Sequence, residues 1–328
     1  MDSLIFAINA VAPIVAMVMI GYVLKKMGLM NAALAKAVNK LVFHLFLPAM
    51  LFLNVYDIDD LGSMQFDYII YVVIVLLVIF ICAIPAVMMV AGQHERRGAL
   101  LQSAFRSNYA LIGIPLASSL FGTEGVAVAT LLSAVVVPLL NVLAVISLTV
   151  FRRTMEKPSV KGILVGIVKN PLIQAVALGL VVLGVRALFV NFDISFRLSD
   201  ITPVYTVLGY LSRLATPLAL LGLGAQFEFS AVSSLKREIL FGTLMRTVIV
   251  PVLGIGTAYL LFRSRFSGAH FAAFVAVFAT PVSISSVPMA QEMDGDVVLA
   301  GQLVVWTTVV SALSVFLTSF LLRAAGVF

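Results

Sequence analysis

Asn108, Pro115 and Gly122 follow one another at intervals of seven residues, within RSNYALIGIPLASSLFG. Pro281, Pro288 and Gly295 repeat that spacing within ATPVSISSVPMAQEMDG, at an offset of 173 residues at all three positions. Both strings lie in apolar stretches long enough to cross a bilayer. The chemistry such residues can do is binding. A proline inside a helix removes one backbone donor and frees a carbonyl, and in hydrocarbon a freed backbone is tolerated only where protein buries it or it lines a wet cavity. An unwound segment leaves two half-helices whose facing ends expose N–H groups on one side and C=O groups on the other. The N–H end carries partial positive charge and suits a carboxylate.

The residue types around each break fit that reading. Asn108 brings a side-chain donor and acceptor, with Gly113, Ile114 and Pro115 completing the first candidate segment. The second offers Pro281, Ser283, Ser285, Ser286 and Pro288, whose hydroxyls can satisfy freed backbone groups or contact a ligand. Paired interruptions at matching places in two halves point to a transporter's binding site.

Ionisable residues inside apolar spans are functional hypotheses by default. Arg246 has no carboxylate nearby in sequence and either neutralises an anionic substrate or snorkels to the interface. His44, near Lys40, relays protons or is a buried structural histidine. Glu292, with Asp294 and Asp296, is either a cation site or ordinary loop solvation. Gln102, Asn141, Gln174, Gln226 and Gln302 read as hydrogen-bonding groups between helices. The single cysteine, Cys82, excludes a disulfide within the chain, and no Cys/His metal spacing occurs. HExxH, GxSxG and Walker signatures are missing, so no catalytic residue, metal or cofactor is assigned.

The elements that must position these residues follow from composition. Of 328 residues, 62% are hydrophobic and 11% charged, with mean hydropathy +1.14. That much apolar surface belongs in a bilayer. Ten spans are expected, at roughly 4–24, 35–55, 67–91, 99–121, 125–151, 171–191, 202–225, 239–262, 269–291 and 297–323. The sixth can start earlier, because KGILVGIVKN is itself amphipathic. The N-terminus lacks a basic leader and reads as the first span rather than a signal peptide. The net charge of +6 reflects loop cations rather than nucleic-acid binding. Fifteen of the 21 basic residues, among them Arg96, Arg97, Arg106 and Arg246, fall on one side, whereas the 2–3 loop opposite is acidic. The positive-inside rule makes that basic side cytoplasmic and turns both termini outward.

Ten spans divide five and five, and an odd number per half inverts the second copy. LPAMLFLN around Pro48 and TPLALLGLG around Pro217, 169 residues apart, add a second echo. The reading is an inverted repeat: residues 1–151, a cytoplasmic linker 152–170, and residues 171–328. The two breaks should then meet near the bilayer midplane and cross.

LVFHLFLPAMLFLNV, RSNYALIGIPLASSLFG, KNPLIQAVALGL and ATPVSISSVPMAQEMDGD together resemble the auxin efflux carrier family, within the wider group that holds bile acid:sodium symporters. The resemblance spans essentially the whole chain. It implies an all-α membrane fold of two inverted five-helix repeats, with a scaffold of helices 1, 2, 6 and 7 and a transport domain of helices 3–5 and 8–10. It implies crossed breaks in helices 4 and 9, an elevator motion and a homodimer. It places a carboxylate-contacting asparagine at Asn108 and crossover prolines at Pro115 and at Pro288 or Pro281. The second crossover here has no asparagine, and the long cytoplasmic loop of plant carriers is missing.

The expected activity is secondary transport of small organic anions across the cell (inner) membrane, and the resemblance implies malate, malonate or auxin-like acids as candidates. The transport is uncoupled or driven by H+. The alternative is a Na+-coupled symporter using oxygens of Ser283, Ser285, Ser286, Glu292 and Gln302. A channel or a membrane enzyme is the contrasting class.

Overall fold

Hydrocarbon offers no partner to a peptide group, so a chain this apolar must satisfy its backbone within helices. The computed structural model describes residues 2–58, 66–152 and 160–328, and these are helical almost throughout. Asp59, Asp60, Arg153 and Lys157, which belong to the loop charges, lie outside the described residues. Seven stretches among the described residues are long and apolar enough to span: Ala32–Tyr56, Phe66–Val90, Tyr109–Val150, Pro171–Val190, Thr202–Gln226, Lys236–Phe262 and Val297–Ala324. Many of their large apolar side chains point outward, Leu260 at 78% and Met89 at 73% exposure, which suits lipid as the solvent.

In chain order the helices are α1 (Asp2–Lys26), α2 (Ala32–Leu41), α3 (Leu47–Tyr56), α4 (Phe66–Val90), α5 (His94–Phe105) and α6 (Ile114–Val150). Then come α7 (Val160–Lys169), α8 (Pro171–Asn191), α9 (Thr202–Gln226), α10 (Ala231–Ser234) and α11 (Lys236–Leu244). The chain closes with α12 (Thr257–Phe262), α13 (Gly268–Phe278), α14 (Ser286–Glu292) and α15 (Val297–Ala324). The amphipathic stretch before Pro171 forms α7 by itself: Asn170 interrupts the chain, and its side chain caps α8 by accepting from the Leu172 N–H at 2.9 Å.

Three of the four wide π-turns among the described residues, Val42–Phe46, Tyr109–Gly113 and Met245–Ile249, end two residues before a proline (Pro48, Pro115 and Pro251); the fourth, Val252–Gly256, follows Pro251. The cause is local. A proline ring crowds the carbonyl four residues upstream and donates nothing to it, so the preceding turn widens.

α6 folds back on itself. Gly122 has φ +58°, a left-handed conformation that favours glycine, beside the non-helical Phe121. The Tyr109 hydroxyl donates to the Ala129 carbonyl at 2.7 Å. Twenty residues of straight helix would hold those atoms about 30 Å apart. Residues 114–120 and 123–150 are therefore two arms, which agrees with the expected division near 121–125. The matching turn in the second half falls at Asp294 (φ +56°), one residue before Gly295.

Two groups of helices emerge. α1 packs on α9, while α3 packs on α8 and α9. α13 packs on α6, α4 and α6 pack on α5, and α11 and α14 pack on α15. The groups meet where α1 touches α15 and where α14 touches α2.

Candidate functional site

The two breaks meet. After α5 the chain is extended through Arg106, and between α13 and α14 it is non-helical across the region of Pro281–Ser283. Ser107 and Val282 pair as an antiparallel bridge. The Asn108 N–H donates to the Pro281 carbonyl at 2.8 Å, and the Ser283 N–H donates to the Arg106 carbonyl at 3.2 Å. Main-chain groups that the breaks release are thus satisfied across the crossing rather than left in hydrocarbon. Of the three prolines only Pro281 sits at a break, in the non-helical stretch before α14. Pro288 lies in the first turn of α14, where a missing N–H has no intrahelical partner to lose, whereas Pro115 directly follows the π-turn Tyr109–Gly113.

Gly113 is required by close approach: a Cβ there would stand 2.8 Å from the Ala276 carbonyl oxygen of α13. On the far side, Arg246 closes the end of α13. It is fully buried, and its Nε and Nη2 donate to the Thr280 and Val277 carbonyls, each at 2.6 Å. A cation there complements the partial negative charge at a helix C-terminus.

A cavity of about 220 Å³ opens at the crossing, between the two groups of helices. Its polar lining comes from Arg106, Ser107, Asn108, Asn141, Ser283 and Ser285. α3, α8 and α9 supply a mainly apolar wall relieved by Asn54 and Thr216. Arg106 dominates the electrostatics. It is 2% exposed, and its guanidinium donates to Gln102 Oε1 (2.7 Å), Asn141 Oδ1 (3.0 Å) and Ser285 Oγ (2.8 Å) while lying against the Met289 sulfur. All four neighbours are neutral, and Arg106 joins no ion pair among the described residues. Asn141 is held in place by donating to the Val137 carbonyl at 2.8 Å. The Ser283 and Ser285 hydroxyls are 2.8 Å apart. The amide nitrogen of Asn108 and the hydroxyl of Ser107 are buried with no partner in the protein. A buried cation without a counter-charge, two idle donors and the open N–H groups of the first turn after Asn108 form a site suited to an anion.

The expected site residues separate. Asn108, Ser283 and Ser285 line the cavity; Pro281 contributes its carbonyl to the crossing. Gly113 packs against α13, Ile114 opens α6, and Pro115 borders a different depression with Asn9 and Pro13. Ser286 and Pro288 are buried in α14 away from the cavity lining. Arg246 also lies off the lining, so it neither snorkels nor faces this cavity. His44 is exposed rather than buried, and its Nδ1 stands 3.8 Å from Glu292 Oε2, which brings those two together where α14 meets α2. Asp294 pairs with Arg152 and Asp296 with Arg96, consistent with ordinary charge neutralisation near the helix ends.

Arg106 and Arg246 correct the loop tally: both are interior side chains rather than loop cations. Arg106 was missed as a site residue because its place before Asn108 reads as a loop end. The available signal was Gln102 one turn earlier, a partner for a cation turned inward.

A profile of membrane transport proteins matches residues 6–319. The chain is 25% identical over 330 residues to an uncharacterized transporter of Methanothermobacter thermautotrophicus, an alignment covering 96% of this chain and 98% of that protein. With a match across nearly its full length, an all-helical apolar body and a polar cavity where two broken helices cross, this chain belongs to the membrane transport protein family, that of the auxin efflux carriers.

Proposed function

We propose that this protein is a secondary carrier of small organic anions, carboxylates of the size of malate or malonate or carrying an auxin-like apolar body. One observation supports the reading above the others: Arg106 is buried at the crossing with only neutral partners, beside the unpartnered Asn108 amide. In this reading a carboxylate takes hydrogen bonds from Arg106 and Asn108, and its remainder rests against the apolar wall. The helices expected as scaffold (1, 2, 6 and 7) correspond to α1, α2–α3, α8 and α9, and the remainder to the transport domain. The cavity between them is what an elevator would carry across the membrane. A homodimer formed through the scaffold, placement in the cell membrane with both termini outside, and transport that is uncoupled or driven by H+ complete the proposal.

The Na+-coupled alternative finds less support. Its five oxygen donors are dispersed: Ser283 and Ser285 line the cavity, and Ser286 does not. Glu292 stands near His44, and Gln302 donates to the Glu228 carbonyl.

The test is a thermal-shift screen of purified protein against carboxylic acids, with and without Na+. A ligand that binds only the native state raises the melting temperature, by about 2.7 kcal/mol of stabilisation at a hundred times Kd. A shift with a carboxylate, independent of Na+ and lost in Asn108→Ala, is expected. Shifts that need Na+ would favour the symporter, and none with any carboxylate would overturn the reading.

A further inference from the structure

Two arginines are buried in the same group of helices, and they differ in what they face. Arg246 is sealed behind the second break on two carbonyls and does not reach the cavity. Arg106 lines the cavity and holds only neutral partners. Its guanidinium keeps its charge at any pH the cell meets. Arg106 is 2% exposed, so water in the open cavity screens its charge chiefly through the neutral groups it holds. When the cavity passes through the bilayer closed, the water must leave, and the charge is then neutralised only if an anion sits on it.

We propose that Arg106 makes occupancy a condition of movement: the cavity crosses readily when an anion is bound to Arg106 and slowly when it is empty, so the protein exchanges one carboxylate for another faster than it performs net transport. This rests on the reading of the site given under Proposed function. The physical asymmetry is that an uncompensated charge taken from water is costly, whereas the same charge paired and hydrogen-bonded is tolerated. The apolar wall from α3, α8 and α9 offers the empty site no substitute carboxylate. Asn54 and Thr216, its polar members, are neutral.

The experiment is tracer efflux from proteoliposomes of the full-length protein, loaded with radiolabelled malate or, in parallel, lactate. Efflux into buffer containing the same unlabelled acid is compared with efflux into buffer without it. Exchange should exceed net efflux by about tenfold or more, the scale of one uncompensated buried polar group. Arg106→Lys keeps the charge and should keep most of that ratio. Arg106→Gln should bring the ratio close to one in whatever efflux remains. Equal wild-type efflux into the two buffers overturns the exchange proposal whatever the variants do, and leaves anion transport standing. A large ratio that persists in Arg106→Gln overturns the assignment to Arg106. No protein-dependent efflux of either acid, together with no thermal shift by any carboxylate, removes the underlying reading and this inference with it.

Discussion

Two arginines of one chain carry the same charge into the interior and do different work, and their contacts say which is which. Arg246 holds the Val277 and Thr280 carbonyls at the end of α13. Arg246→Met leaves both without a donor. We expect a loss of about 1–3 kcal/mol of stability, read as a lower melting temperature, with the carboxylate-induced shift retained. Arg106→Gln should do the reverse: removing a buried cation that lacks an anionic partner need not destabilise the fold, but it abolishes the carboxylate-induced shift. A variant of Arg246 that kept its stability and lost ligand response would refute this division. Neither role was legible in the linear sequence. Arg106 and Arg246 both lie close to basic loop ends, and counting charges by loop assigns them to topology. That Asn108 stands at a break was legible, because it precedes Gly113 and Pro115 inside an apolar run.

At the scale of elements, the breaks were readable from spacing while their mechanism was not. Asn108, Pro115 and Gly122 and their counterparts mark the two segments, yet Pro115 and Pro288 lie downstream of the unwound residues and only Pro281 lies among them. The chain opens because each widened or extended segment finds partners on the other break, a long-range fact that no local pattern contains. The π-turns before Pro48, Pro115 and Pro251 were likewise invisible to a 3.6-residue template. The fit of the first break against α13 depends on Gly113. Gly113→Ala places a methyl group 2.8 Å from the Ala276 carbonyl oxygen and must push the two elements apart. We expect a cost of about 1–3 kcal/mol and weakened carboxylate binding, because the displaced turn carries Asn108. Full ligand response with an unchanged melting temperature would show that the crossing tolerates the shift.

For the molecule as a whole, composition was decisive. A chain with so few charges must present apolar surface outward, and span positions follow from run length. The grouping of helices around the cavity rests on packing between residues far apart in sequence and was expected only through the family resemblance. Cys82 tests the outer surface. It is free and exposed on α4, between the outward-facing Val78 and Met89. Since the thiolate is the reactive form and hydrocarbon suppresses it, a charged maleimide should label folded protein in membranes slowly. Unfolding in detergent should restore rapid labelling. Prompt labelling of the folded protein would place that surface in water instead.

The crossing is fastened by main-chain atoms: Asn108 N–H to the Pro281 carbonyl, and Ser283 N–H to the Arg106 carbonyl. A seam of this kind is indifferent to what the neighbouring side chains are. Walls contributed by Leu51, Thr216 or Ile284 can therefore be reshaped to admit other cargo without unpicking the joint, which gives one architecture the latitude to serve many different solutes.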